Sequence, residues 1–180
     1  HKYMSAFLLA ATGITGMDKV VPKVAGVESW ELSFKISRRW GHFVKGIPQD
    51  KVIIVGAKGN FHGRSIAAIS MSDDRESREG FGPFLPGIEL VPFNDVDALE
   101  DLFIKKGERI ASFMVEPIQG EAGVIVPDDD YLPKVSKLCK KYNVLLAADE
   151  VQTGFGRTGK NFAHQLYGVK PDLMGCGKAA

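Results

Sequence analysis

The stretch "VLLAADEVQTGFGRTGK", residues 144–160, decides how the chain is read. Val144 to Ala148 form an apolar run without alternation, and the run ends in two acids, Asp149 and Glu150. A short continuous apolar run fits a strand buried on both faces, as in a parallel sheet covered by helices. Such a strand delivers its last side chains to the carboxyl edge of the sheet, where ligands bind in open α/β folds. A glycine-rich loop follows at once.

Working outward, the same pattern repeats. "KVIIVG" (51–56), "IELVPF" (88–93) and "RIASFMVE" (109–116) read as further buried strands, and "PDLMGC" (171–176) as another. Between them lie segments with helical period. "GRSIAAIS" (63–70) predicts a short helix. "DVDALEDLFIKKG" (95–107) predicts a helix opened by an acid and closed by glycine. "DYLPKVSKLCKKY" (130–142) predicts the clearest helix, with Tyr131, Val135, Leu138 and Tyr142 on one stripe and Asp130 as cap. Near the start, "GVESWELSFKISRRWG" (26–41) predicts a helix with Trp30 and Phe34 four apart, Leu32, Ile36 and Trp40 likewise, and Gly41 at its end. "SAFLLAATGITG" (5–16) reads as a helix ending at Gly13 or Gly16. Strands alternating with helices at this spacing predict an α/β domain, a mostly parallel sheet with helices on both faces.

Composition excludes several classes. The 180 residues carry a net charge of +1 and 44% hydrophobic residues, so neither a strong nucleic-acid field nor an unfolded polar chain is indicated. No apolar run approaches the roughly 20 residues of a membrane helix. Cys139 and Cys176 form no metal or redox spacing, and a reducing compartment is the simple reading. The chain starts at His1 without Met and stops after Ala180 without a helix stop signal, which predicts a segment of a longer protein.

"GFGRTG" (154–159) matches the G-x-G-x-x-G pattern. A dinucleotide site needs its first glycine directly after the strand and a helix opening at once. Here two acids stand between strand and glycine, and a carboxylate beside a pyrophosphate repels it. A glycine-rich turn is the better reading. Taken singly, the other residues have plain readings: Asp149 as a helix cap or a loop salt bridge, Lys178 as a solvated lysine, Phe61 as a core aromatic, His62 as a surface residue or one standing behind a site residue, Arg64 as the partner of a nearby acid.

Three segments change that reading together: "GNFHGRSIAAIS" (59–70), "FMVEPIQGEAGVIVPDDDYL" (113–132) and "LLAADEVQTGFGRTGKNFA" (145–163), followed by "YGVKPDLMGCGKA" (167–179). In order and spacing the chain resembles the class III pyridoxal-phosphate-dependent aminotransferases, of fold type I. Within that family "VKGIP" and "REGFGPFLPGI" look closer to the ornithine type than to the acetylornithine, 4-aminobutyrate or glutamate-semialdehyde types. The resemblance implies transfer of the δ-amino group of ornithine to 2-oxoglutarate, with amino-acid and 2-oxo-acid substrates and a homodimer or higher homo-oligomer. It implies that Lys178 forms a Schiff base with the cofactor aldehyde and shuttles a proton between substrate and cofactor. A buried site near cationic groups favours such an amine. Asp149 is implied to stabilise the protonated pyridine nitrogen. The ring is implied to lie between Phe61 and Val151, with Gln152 on its 3′ oxygen and the phosphate on the Gly26–Val27 turn at a helix N-terminus. Arg64 is implied to bind the substrate carboxylate. Glu121 is implied to pair with an arginine outside this chain, and Glu116 and Gln119 to line the same pocket.

Two departures stand out. Val24–Ala25 replaces the small polar pair the family has before the glycine, so a hydroxyl donor to phosphate is absent. Trp30 and Phe34 stand where the family has small residues and predict crowding of a packed face. The expected organisation is an incomplete cofactor-binding domain over 1–180, with an N-terminal segment and a C-terminal small domain outside it and little activity in the segment alone. The cytoplasm or mitochondrial matrix is the expected location. The competing readings are another class III aminotransferase, a nucleotide-dependent oxidoreductase built on "GFGRTG", and a degenerate, non-catalytic paralogue.

Overall fold

The apolar runs form one fully parallel sheet of five strands among the described residues, in the order β2-β1-β3-β4-β5. The computed structural model describes residues 3–179, and the readings placed on His1 and Ala180 lie outside the described residues. In chain order the elements are α1 (Met4–Thr15), α2 (Gly26–Phe43), β1 (Ile53–Ala57), α3 (Ile66–Met71), α4 (Arg75–Arg78), β2 (Ile88–Val91), α5 (Val96–Lys106), β3 (Ile110–Val115), α6 (Tyr131–Lys141), β4 (Leu145–Asp149) and β5 (Leu173–Gly175). No helix among the described residues is long and apolar enough to cross a membrane.

The sheet has a core on each face. Ile53, Val55, Phe113 and Leu146 point to one, where Leu99 and Phe103 of α5 and Val135 and Leu138 of α6 cover them. Ile54, Ala111, Met114 and Ala147 point to the other, where Trp30 and Phe34 of α2 and Ala68 and Met71 of α3 cover them. Both sides of the central strands β1, β3 and β4 are therefore dry, which is why they read as runs and not as alternations. β1 pairs with β2 on one side and β3 on the other, so the chain reverses its direction of travel between β1 and β3. The crevice beyond the carboxyl ends of two such strands is where this sheet type places ligands.

Several local expectations are corrected. The buried face of α2 is Trp30, Ser33, Phe34, Ser37 and Gly41, while Ile36 is 38% exposed. Trp30 and Phe34 fill the core beneath α2, their rings tilted at 5.3 Å. Gly41 does not end the helix, which runs on to Phe43. A Cβ there would stand 2.8 Å from Ala111 Cβ, so glycine lets α2 approach β3 closely. Gly107 is right-handed, with φ of −54°, and leads into a single 3₁₀ turn, Gly107–Arg109, rather than a left-handed stop. Asp130 makes no cap hydrogen bond; its carboxylate pairs with Lys134 Nζ at 2.6 Å on the surface. Asp95 does cap α5, accepting from Ala98 N–H at 2.8 Å. α1 ends at Gly16, which adopts φ of 63°. α4 has no counterpart among the elements read from the sequence.

Candidate active site

The end of β4 brings two neighbouring carboxylates to opposite sides of the strand. Asp149 Oδ1 accepts from Val151 N–H at 3.0 Å, and its Oδ2 lies 2.6 Å from His62 Nδ1. His62 is buried and comes from the loop after β1. Its ring stacks on the Trp30 indole at 5.2 Å between centroids and 16° between planes. His62 Nε2 and Trp30 Nε1 are both buried without a hydrogen-bond partner. Glu150 turns the other way and is fully buried. It accepts from Ala163 N–H at 3.0 Å, His164 N–H at 2.8 Å and the Thr153 hydroxyl, and meets His164 Nδ1 at 2.9 Å.

The residues expected at the site gather on one edge. α2 opens at Gly26 after an extended Ala25, and its first intrahelical bond runs from Ser29 N–H to the Ala25 carbonyl. The N–H groups of Gly26, Val27 and Glu28 precede that bond and form the positive end of the helix dipole. A Cβ on Gly26 would lie 2.7 Å from Val151 Cγ1, so only glycine brings this turn against Val151. Gly177 packs at the same point, near Gly26 and Val151, and places Lys178 beside them in the chain. Gly175, three residues before Lys178, is the register partner of Asp149. Gln152 lies against Gly120, where an added Cβ would meet its Cδ at 2.8 Å.

Phe61, half-buried, and Arg64, exposed, border an open cleft of about 360 Å³ that also touches Glu121, Asp74 and Ser77. Arg64 carries its guanidinium 5.5 Å over the Phe61 ring and donates to Ser77 Oγ at 2.7 Å, rather than to an acid. Glu116 sits beneath the cleft, 4% exposed, accepting from Phe61 N–H at 2.9 Å and Gly120 N–H at 3.2 Å. Burial pushes its carboxyl above the usual range; nearby His62 and the Phe61 N–H oppose the shift. Gln119, also buried, donates to the Lys58 carbonyl at 2.7 Å. These two side chains brace the loops after β1 and β3 from below, whereas the sequence reading lined the pocket with them.

Lys178 is exposed, with φ of 51°, in the turn after β5, and no described element covers it. "GFGRTG" is a succession of turns with positive φ at Phe155, Gly156 and Gly159, and no helix opens there. The dinucleotide reading lacks the helix N-terminus it needs. Sequence reasoning missed the pairing of His62 with Asp149, missed Asp74 and Ser77, and left Glu150 without a role. His62 meets Asp149 across 87 positions of chain, a separation at which no local pattern signals contact.

A family model described as "Aminotransferase class-III" matches residues 3–180. Ornithine aminotransferase of Emericella nidulans is 50% identical over 181 residues, which cover 96% of this chain and 40% of that protein. The mitochondrial ornithine aminotransferase of Arabidopsis thaliana is 52% identical over 168 residues, covering 93% of this chain and 35% of that protein. The crystal structure of ornithine aminotransferase from Toxoplasma gondii superimposes with a TM-score of 0.91 at 40% identity, covering 94% of this chain and 40% of that one. The chain thus spans well under half the length of the relatives it matches.

Proposed function

Because the chain belongs to the class III aminotransferase family, we propose that the protein containing it transfers the δ-amino group of ornithine to 2-oxoglutarate with pyridoxal 5′-phosphate. The observation that carries this reading is the meeting at one sheet edge of Asp149, Val151, the Gly26 turn and the Gly177–Lys178 turn. The likeness to ornithine aminotransferases at about half identity supports the choice of donor.

The residues present fit the cofactor. Each Asp149 oxygen has one partner in the structure and a further lone pair to give. The N-terminus of α2 offers N–H groups and a dipole to a phosphate even though Val24–Ala25 supplies no hydroxyl. When bound, the cofactor supplies an electron sink for the carbon from which a proton is removed.

The chain's own residues do the rest. Asp149 would hold the proton of the ring nitrogen, and Val151 N–H and His62 fix the rotamer of its carboxylate. Phe61 and Val151 would hold the ring between them. Lys178 Nζ would take a proton from the amine-bearing carbon, the δ-carbon in ornithine, and give it back as the amino group moves. Arg64 receives the distal carboxylate in the planar fork that guanidinium provides. Glu121, on the same cleft, is available to a cation from outside this chain. The relatives named mitochondrial support the matrix over the cytoplasm as the site of action. In this reading a small domain and a second subunit complete the site, and the Emericella nidulans relative, of which this chain covers 40%, has the length for the former.

Borohydride reduction of the full-length holoenzyme tests the reading. Covalent trapping of cofactor on Lys178 is expected, with loss of the visible absorbance band in Lys178→Ala. Absence of trapping on Lys178 would leave the non-catalytic paralogue as the better account.

A further inference from the structure

α4 is four residues long and buries only Ser77, too little to justify it as core. Its bonding has another direction. Asp74 precedes it and accepts from the N–H groups of Glu76 at 3.3 Å and Ser77 at 3.1 Å. The Ser77 hydroxyl also donates to Asp74 Oδ2, which commits its single proton. Ser77 Oγ is then left as an acceptor, and Arg64 Nη1 donates to it at 2.7 Å. The polarity of the chain is fixed: guanidinium to hydroxyl, hydroxyl to carboxylate. These donors, with Arg64 nearby, hold the Asp74 carboxyl below its usual range.

From this arrangement we infer that Ser77 and Asp74 are positioning residues for substrate recognition. They aim Arg64 into the cleft through a hydroxyl spacer that orients the guanidinium without neutralising it. The inference rests on the reading of Arg64 as the carboxylate binder. Its physical basis is a contrast between two ways of holding an arginine. A direct, bidentate ion pair with Asp74 would occupy two of its five N–H donors and cancel much of its field. A single bond to a neutral hydroxyl occupies one and leaves the charge available. The Phe61 ring beneath the guanidinium, at 5.5 Å, limits its swing from the second side. Arg64 is otherwise exposed, and an exposed arginine loses rotamer freedom when it binds. Fixing one terminal nitrogen in advance reduces that loss, which is felt in ground-state binding of any substrate carboxylate and only weakly in the chemical step.

The test is the ornithine half-reaction of the full-length holoenzyme, followed by absorbance in single turnovers, which separates the dissociation constant from the limiting rate. Ser77→Ala is expected to weaken ornithine binding about fivefold, the scale of one net hydrogen bond, with the limiting rate within about twofold. Ser77→Thr keeps the hydroxyl and is expected to restore binding. Ser77→Asp sets a carboxylate directly on Arg64 and is expected to weaken binding more than alanine does. Arg64→Gln serves as reference and is expected to exceed all three. If Arg64→Gln weakens binding while Ser77→Ala binds like the parent, the positioning role is overturned and the Arg64 assignment stands. If Arg64→Gln itself binds ornithine normally, both are overturned. A fall in limiting rate with unchanged binding in Ser77→Ala would also overturn it, since that marks a disturbed fold and not a misaimed guanidinium.

Discussion

Asp149 and Glu150 are consecutive acids at the end of β4, each beside an imidazole, and they do opposite work. Glu150 is saturated: two backbone N–H groups, a hydroxyl and His164 Nδ1 converge on it, and none of its surface is exposed. It ties the loop after β4 to the 3₁₀ segment Ala163–Tyr167. Asp149 has one N–H and one imidazole and keeps spare lone pairs. Even the stacking differs in consequence. His164 lies on Phe162 at 5.9 Å inside the fold, whereas His62 lies on Trp30 with its far nitrogen unpartnered. A carboxylate with every acceptor site filled is a structural clamp, and one with sites left over is poised to take a ligand.

Breaking the clamp has the largest expected effect. Glu150→Ala strands His164 and three further donors in a dry site and is expected to cost about 3–5 kcal/mol of stability, read as a lowered denaturant midpoint. Asp149→Asn keeps an acceptor for Val151 N–H but no longer stabilises a protonated ring nitrogen. Activity of the full-length enzyme is expected to fall on the order of 10²–10³-fold, the scale typical of a lost preorganised charge contact, while stability changes far less than in Glu150→Ala. Equal stability losses in the two variants would erase the distinction drawn between them.

The smallest effect concerns Glu116, which shares His62 as an electrostatic neighbour with Asp149. Its carboxyl is raised in the folded state by burial. Between its ordinary value and its folded value the unfolded chain releases this proton first. Its contribution to stability is therefore full below the ordinary carboxylate range and is lost as pH rises through the folded value. Glu116→Gln is expected to flatten the stability curve across that window, whatever it does to absolute stability. Denaturant midpoints measured from acid to neutral pH read the slope, and an unchanged slope would assign the pH dependence elsewhere.

The strands and the longer helices were legible because their signals are local. β4 reads as an apolar run because both faces of the sheet are covered, and α6 reads as a stripe because one face is. The errors share a cause. Gly41 resembled a stop because glycine commonly ends helices, but here it serves close contact with Ala111, 70 positions away. Asp130 resembled a cap, but Lys134 on the surface offered a competing partner. α4 was invisible because four residues carry no period, and its order comes from the Asp74 bonds, from Arg64 and from Arg78, which donates to the carbonyls of Ile69, Ser70 and Ser72.

By itself, the sequence determined the fold class and, through its resemblance, the family. Hydrophobic period and strand-end chemistry are carried by neighbours in the chain, so they can be read along it. Only the tertiary structure decided which of two adjacent acids is fully satisfied and which keeps lone pairs to spare. It alone joined His62 to Asp149, and Ser77 and Asp74 to Arg64. Whether a polar group is spent or spare depends on donors delivered by distant segments, and no local pattern records where those segments come to rest.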